Sequence, residues 1–419
     1  MELLESWVTS ANSSTSSFPL NNLPYGVFST DDLKKRCGIA IGDMILDCQA
    51  VEAAGLINFT SGPLLQSASW NGLMELGPLE WAKFRMNITS LLCKKSKIQR
   101  HLKMMLVRQT AAELHMPFKI SEFTDFWSSK NHAINAGTIL RGRENALPEN
   151  WQHIPIGYNG RASSVNVSGT NFRRPWGQIK RSNISQPEFS PSERFDFELE
   201  MGAIVGVPSN GPVTVQEAED MIFGYVVLND WSARDIQAWE GQPLGPFQAK
   251  ATATTISPWI VTKAALEPFR CNSAARDPQL LSYLEESGSM FYDIDLTAIL
   301  TPKDGPPCVI TRTNFKEIYY TSAQQLAHHT TSGCPMNSGD LLGSGTISGS
   351  QKLERGSMLE LSWGGREPLT LENGEVRSFL EDFDTLTLCA LARNEHITIG
   401  FGKCTGTLLP ALIDPYSRE

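Results

Sequence analysis

A mainly β fold in two domains is what this sequence predicts, and three observations carry it. Beyond Pro117, short strand-like runs are separated by Pro- and Gly-rich turns, with no alternation of strand and long helix and no repeat of fixed period. Phe195 to Met201 alternates strictly between apolar and acidic residues, which is the period of a pleated strand. Phe223-Gly224-Tyr225-Val226-Val227-Leu228 is an unbroken apolar run, the mark of a strand covered on both faces. At 419 residues and 41% hydrophobic content, the chain can fill two cores.

Residues 1–17 carry Glu2 and Glu5 and then turn rich in Ser and Thr, which predicts a flexible tail rather than a signal or transit peptide. Residues 18–117 are expected to form a small β domain with a helical extension. Gly42-Asp43 between Ile41 and Met44 reads as a hairpin turn. Ser69 to His115 reads as helical, with Leu73, Leu76, Leu79 and Trp81, then Leu91, Leu92, Leu102 and Leu106, and Met116-Pro117 is expected to end it. Residues 118–419 form the larger, mainly β domain.

Composition narrows the partners. Thirty-six Lys and Arg against 45 Asp and Glu give a formal net charge of −9 without any block of like charge, which argues against a nucleic-acid or anionic-membrane surface and for a small-molecule partner. The eight cysteines are scattered with no C-x-x-C pair, so they read as reduced thiols of a cytoplasmic protein rather than as disulfides or a zinc site. No apolar stretch reaches the length of a membrane span.

The chemistry concentrates on acids. Glu198 and Glu200 share one face of the alternating strand, about 7 Å apart, where two carboxylates raise each other's pKa or share a hard cation. A solvated strand face fits the same pattern. Asp230 ends the apolar run, and Ser232-Ala233-Arg234-Asp235 reads as a helix start with Ser232 as the cap. On that helix Arg234, Gln237 and Gly241 fall on one face, as a ligand site or an ordinary salt-bridged surface would. His328-His329, if on a strand, point opposite ways and do not chelate together. Gly343-Ser344-Gly345 lacks the Lys-Ser/Thr of a phosphate loop and reads as a turn.

With Asp125 and His132 added, the sequence resembles the fumarylacetoacetase (fumarylacetoacetate hydrolase) family. The matching blocks run in family order: Leu23 to Ser29, Thr124-Asp125-Phe126, Arg141-Gly142, Gly160 to Ser164, Phe197 to Met201, Asn229 to Gln237, Pro243 to Phe247, Gly345 to Ser350 and Ser357 to Trp363. They span residues 18 to 412. The resemblance implies an N-terminal SH3-like barrel, a C-terminal β-roll and a homodimer. It implies Ca²⁺ or Mg²⁺ held by Asp125, Glu198, Glu200 and Asp230, and His132 as general base oriented by Glu360. Arg234, Gln237 and Lys250 would face the oxyanion, Arg141, Tyr158 and Thr346 would contact substrate, and the backbone near Lys250 and Thr254 would hold a second cation.

The implied reaction is hydrolytic cleavage of a C–C bond in a β-diketo acid, fumarylacetoacetate or a close analogue, in tyrosine and phenylalanine catabolism. The chain departs from the family pattern at four places: Trp127 and Gly241 stand where substrate-binding tyrosines are usual, Asn159 replaces a His and Ala249 a Gly. Two phenol hydroxyls are thereby lost from the expected pocket. Two further readings follow: a paralogue that uses the same metal-enolate chemistry for decarboxylation, dehydration or isomerisation, and a non-catalytic dimeric binding protein.

Overall fold

The computed structural model describes residues 2–272, 276–414 and 416, and the fold is mainly β. The Gly-Asp hairpin forms as the sequence predicts. Arg36–Ile41 and Met44–Asp47 pair antiparallel across Gly42, whose φ of +57° suits a residue without a Cβ. They belong to a five-stranded antiparallel sheet in the order Leu106–Arg108, Met44–Asp47, Arg36–Ile41, Tyr25–Ser29, Glu113–His115. The helical stretch is therefore shorter than the leucine pattern suggests. Its main helix is Pro78–Leu92, a further helical turn ends at Met105, and from Leu106 the chain returns to the sheet as two strands joined by the short turn Gln109–Ala111, before Pro117.

The Ser/Thr-rich start is docked, not loose, because it carries apolar and hydroxyl anchors. Val8 and Ala11 are buried, Ser6 Oγ donates to Leu92 O at 2.7 Å, and Trp7 Nε1 donates to Leu91 O at 3.0 Å.

Beyond Pro117 a mixed eight-stranded sheet runs in the order Gly157–Asn159, Phe123–Phe126, Leu341–Gly343, Leu199–Val205, Ile222–Asp230, Thr254–Ile256, Val165–Val167, with Val261–Thr262 also pairing the long central strand. Ile222–Asp230 is buried at all nine positions, as its apolar run requires. The alternating segment departs from expectation. It breaks into Phe195–Asp196 and Leu199–Val205, and its acids are as buried as its apolar residues. A third sheet orders Cys308–Asn314, Asp295–Thr301, Thr385–Arg393, Thr398–Leu409 and Phe172–Arg173.

One apolar cluster joins the first and second sheets, with Tyr25, Trp70 and Phe84 packed against Phe223, Val226, Leu228 and Ile260. Burying each such side chain stabilises by about 1.5–3 kcal/mol, so this shared cluster ties the two sheets together. Tyr25 and Ile260 also exchange backbone hydrogen bonds at 2.9 and 2.8 Å. Among the described residues, no helix is long and apolar enough to cross a membrane.

Candidate active site

Three strands of the central sheet, and the break beside one of them, bring the acids together. Asp125 lies on Phe123–Phe126, beside Gly343 in a parallel pairing and opposite Tyr158 in an antiparallel one. Glu200 enters from Leu199–Val205, and Asp230 ends Ile222–Asp230 opposite Thr254. Glu198 lies at the break in the alternating segment, where its N–H donates to Asn229 Oδ1 at 3.1 Å. Each of the four carboxylates offers one oxygen, and those oxygens lie within 4.8 Å of one another.

Two features that sequence reasoning dismissed or missed make this crowding possible. A Cβ at Gly343 would lie 2.7 Å from Asp125 Oδ1 and 3.0 Å from Glu200 Oε2, so only glycine leaves room for both carboxylates. Gly345, at φ +74°, turns its N–H onto Glu200 Oε2 at 3.0 Å. Gly343-Ser344-Gly345 is thus not the expected bland turn: Gly343 ends the strand Leu341–Gly343, and the segment forms part of the carboxylate cradle.

Cations compensate only part of the charge. Lys250 Nζ donates to Asp230 Oδ2 at 2.6 Å and also to Glu198 Oε2. Arg234 donates through Nε to Asp196 Oδ2 at 2.8 Å and through Nη1 to Gln237 Oε1 at 3.0 Å. Its Nη2 lies 2.8 Å from Glu198 Oε1 in an ion pair. Five buried carboxylates (Asp125, Asp196, Glu198, Glu200, Asp230) against two cations leave three formal negative charges.

The ionisation follows from this imbalance. Burial and the neighbouring Asp230 push Asp125 well above the usual carboxylate range, and burial with Asp125 and Glu198 does the same to Glu200. Burial also raises Asp230, against the pull of Lys250. Glu198 goes the other way: burial would raise it, but Lys250 and Arg234 hold it below the usual range. For Lys250, burial favours the neutral amine, yet Asp230 and Glu198 more than offset this and keep it an ammonium. Each like-charged pair at this spacing costs roughly 3 kcal/mol at an effective dielectric of about 20, more than the net value of an ordinary hydrogen bond.

The donor set fits a hard divalent cation. All four groups are oxygen ligands, and Asp125 Oδ1 and Glu200 Oε1 are buried with no hydrogen-bond donor. Among the described residues this is the one cluster of its kind. Thr254 Oγ1 donates to Asp230 Oδ1 at 3.3 Å, so Lys250 and Thr254 both meet this same cluster through Asp230.

Beside the cluster, Ser129 caps the helix Lys130–Arg141 and accepts from His132 N. His132 Nδ1 lies 2.7 Å from Glu360 Oε2. Glu360 is fully buried and also accepts from Asn135 Nδ2 at 3.0 Å, Ser348 Oγ at 2.9 Å and Ser357 Oγ at 2.9 Å. Burial would raise Glu360, but His132 and these donors hold its carboxyl below the usual range. Ser357-x-x-Glu360 is a capping pattern, with Ser357 Oγ accepting from Glu360 N, and was readable as such.

Both groups open into one cavity of about 370 Å³, lined by Asp125, Trp127, His132, Arg141, Tyr158, Glu198, Arg234, Gln237, Lys250 and Thr346 among others. Tyr158 OH donates to Asp230 Oδ2 at 3.1 Å, and Thr346 Oγ1 is buried with no partner. Arg141 stacks over Trp127 at 5.7 Å while donating to the carbonyls of Asn145 and Ala146. Gly241 is not on this wall. It caps the helix Arg234–Glu240 one turn beyond Gln237, and the following loop contributes Leu244, Gly245 and Pro246 instead.

One local expectation fails, and another holds on a helix rather than a strand. Ser232 is not the helix cap: it pairs in a two-residue strand with Asp196, and Ala233 holds the cap position. Asp235 instead accepts from Ser192 Oγ and the N–H groups of Glu193 and Arg194. His328 and His329 lie on the helix Ser322–Thr330, where they bond separately to Tyr283 and Thr124.

Residues 21–117 match the family described as fumarylacetoacetase N-terminal, and residues 122–408 the family described as fumarylacetoacetate hydrolase C-terminal. The chain is 44% identical to a fumarylacetoacetase of Dictyostelium discoideum, covering 98% of this chain and 99% of that protein. It is 45% identical to one of Caenorhabditis elegans, over 94% and 97% of the two chains. A solved fumarylacetoacetate hydrolase from Exiguobacterium antarcticum shares the fold at 14% identity, with a TM-score of 0.54 over 93% of this chain and 99% of that one.

Proposed function

The chain belongs to the fumarylacetoacetase family, and from that premise we propose that it is a hydrolase of C–C bonds that cleaves fumarylacetoacetate to fumarate and acetoacetate. The observation that carries this is the meeting of the His132–Glu360 pair and the four-carboxylate cluster in one cavity.

A Ca²⁺ or Mg²⁺ would be held by Asp125, Glu198, Glu200 and Asp230, and when bound it would hold the β-diketone oxygens in the enolate form and offset the charge of the leaving group. The residues of the chain do the rest. Glu360 keeps a proton on His132 Nδ1, so Nε2 faces the cavity as the acceptor of a proton from water. That water attacks the ketone carbon. Arg234 faces the oxyanion together with Gln237 and Lys250. Collapse of the adduct breaks the C–C bond, and the enolate that leaves regains a proton. Arg141, Tyr158, Thr346 and Trp127 bound the substrate.

The family reading also carries a homodimer in the cytoplasm, the SH3-like and β-roll forms of the two domains, a role in tyrosine and phenylalanine catabolism, and a second cation near Lys250 and Thr254. The relatives' names and the intact base pair favour hydrolysis over decarboxylation, dehydration or isomerisation, and over a non-catalytic binding role. Incubation of the purified protein with fumarylacetoacetate and Mg²⁺ tests the proposal through appearance of both products. Substrate that survives unchanged, or yields CO₂, overturns it.

A further inference from the structure

Asp196 is fully buried and belongs to the same alternating sequence as Glu198 and Glu200, yet it lies before the break in that segment and outside the four-carboxylate cluster. Its two oxygens accept four hydrogen bonds. Oδ1 takes the N–H of Phe197 at 2.8 Å and of Met358 at 2.7 Å, while Oδ2 takes Arg234 Nε at 2.8 Å and the N–H of Leu359 at 3.0 Å. Met358 and Leu359 open the turn Met358–Leu361, which carries Glu360.

We propose that Asp196 is a positioning residue that ties the Arg234 guanidinium to the turn bearing Glu360, and so fixes the oxyanion side of the cavity relative to the base. Two of its bonds hold the backbone from which Glu360 reaches His132. The bond to Arg234 Nε fixes the plane of a guanidinium whose other nitrogens meet Gln237 and Glu198. A planar fork held at one edge has no freedom to swing wholly onto Glu198. A buried ion pair that served only stability would not need its second partner to be the backbone under Glu360, since a well-packed apolar pair does as well.

The inference rests on the proposed reaction for its kinetic test, and a second readout stands apart from it. Asp196→Asn keeps the shape and one acceptor oxygen but removes the charge and puts an amide against a donor. In a protein with unchanged dimer mass and far-ultraviolet dichroism, kcat for fumarylacetoacetate should fall roughly 10–100-fold while KM moves less than about threefold. In a Glu360→Gln background the same substitution should cost clearly less than in the unmodified protein, because the part of its effect that acts through Glu360 is already lost while the part that acts through Arg234 remains. Imidazole ¹H–¹⁵N spectra of the unmodified protein should show the His132 Nδ1 proton bonded to Glu360, and D196N should shift it. Asp196→Glu, which keeps the charge one methylene out of register, takes the same measurements where D196N does not fold. An equal factor in both backgrounds, or an unmoved His132 signal, overturns the inference. Failure of the unmodified protein to cleave the substrate counts against the reaction alone, and the spectrum then decides the role of Asp196.

Discussion

His132 Nδ1 and Glu360 Oε2 meet at 2.7 Å across 228 residues of sequence, with the carboxylate of Glu360 shielded from solvent and fed by three further donors. That geometry presents one tautomer of the imidazole to the cavity. His132→Ala should lower kcat roughly 10²–10⁴-fold with the fold and divalent-cation affinity retained, as steady-state kinetics and calorimetry would read. Full activity would move proton transfer to another group.

The depressed carboxyl of Glu360 makes a stability prediction with a definite sign. Because its folded pKa lies below the ordinary carboxyl value of 4.5, its contribution is present above that pH and is lost as pH falls through the folded value. The gap in unfolding free energy between the unmodified protein and Glu360→Gln should be widest near neutrality and should close in acid. Urea titrations on either side of pH 4.5 check this. A gap independent of pH would deny the pairing.

How much of this was legible in the sequence depends on the range of the interaction. The Gly42-Asp43 hairpin and the buried strand Ile222–Asp230 are local patterns and form as read. Glu198, Glu200 and Asp230 were found from alternation and position, because a strand encodes its faces in neighbouring residues. The partnership of His132 with Glu360 has no local signature and entered through family resemblance alone. The helix expected through His115 stops near Met105 because Leu106–Arg108 and Glu113–His115 gain hydrogen-bonded partners in the sheet, a tertiary choice that leucine spacing does not record. Gly343 and Asp196 escaped for the same reason: each matters through what approaches it from a distant segment.

Gly343 is the position where added volume should act on the site most selectively. Gly343→Ala places a methyl 2.7 Å from Asp125 Oδ1 and 3.0 Å from Glu200 Oε2, and those carboxylates must move. Expected are a stability loss of about 1–3 kcal/mol and a clear weakening of Mg²⁺ or Ca²⁺ binding. Unchanged cation affinity would mean that the cluster tolerates a different arrangement.

Glu200 carries a buried oxygen with no donor, Oε1, and its ionisation is opposed by burial and by Asp125. Glu200→Gln should relieve that repulsion, so thermal stability in the absence of divalent ions should hold or rise. Cation affinity should fall by about 10–100-fold or more. A variant that binds Mg²⁺ as the parent does would remove Glu200 from the ligand set.

Trp127 stacks with Arg141 on the cavity wall, whereas Gly241 lies off it, with a Cβ there 2.8 Å from Gln237 O. The two departures from the family pattern are therefore unequal. Trp127→Tyr restores a hydroxyl on the wall and should raise kcat/KM for fumarylacetoacetate roughly 10- to 100-fold, the value of one hydrogen bond to a charged group. Adding Gly241→Tyr should contribute little unless the helix end shifts. No gain from either variant would mark both positions as neutral for this substrate.

The most direct test of hydrolysis at a carboxylate-held cation is the product spectrum of the purified protein incubated with fumarylacetoacetate and Mg²⁺, before and after chelation. Equimolar fumarate and acetoacetate, abolished by chelator and restored by added Mg²⁺ or Ca²⁺, is the predicted result. Intact substrate in the presence of the cation, or the same rate after its complete removal, would contradict it.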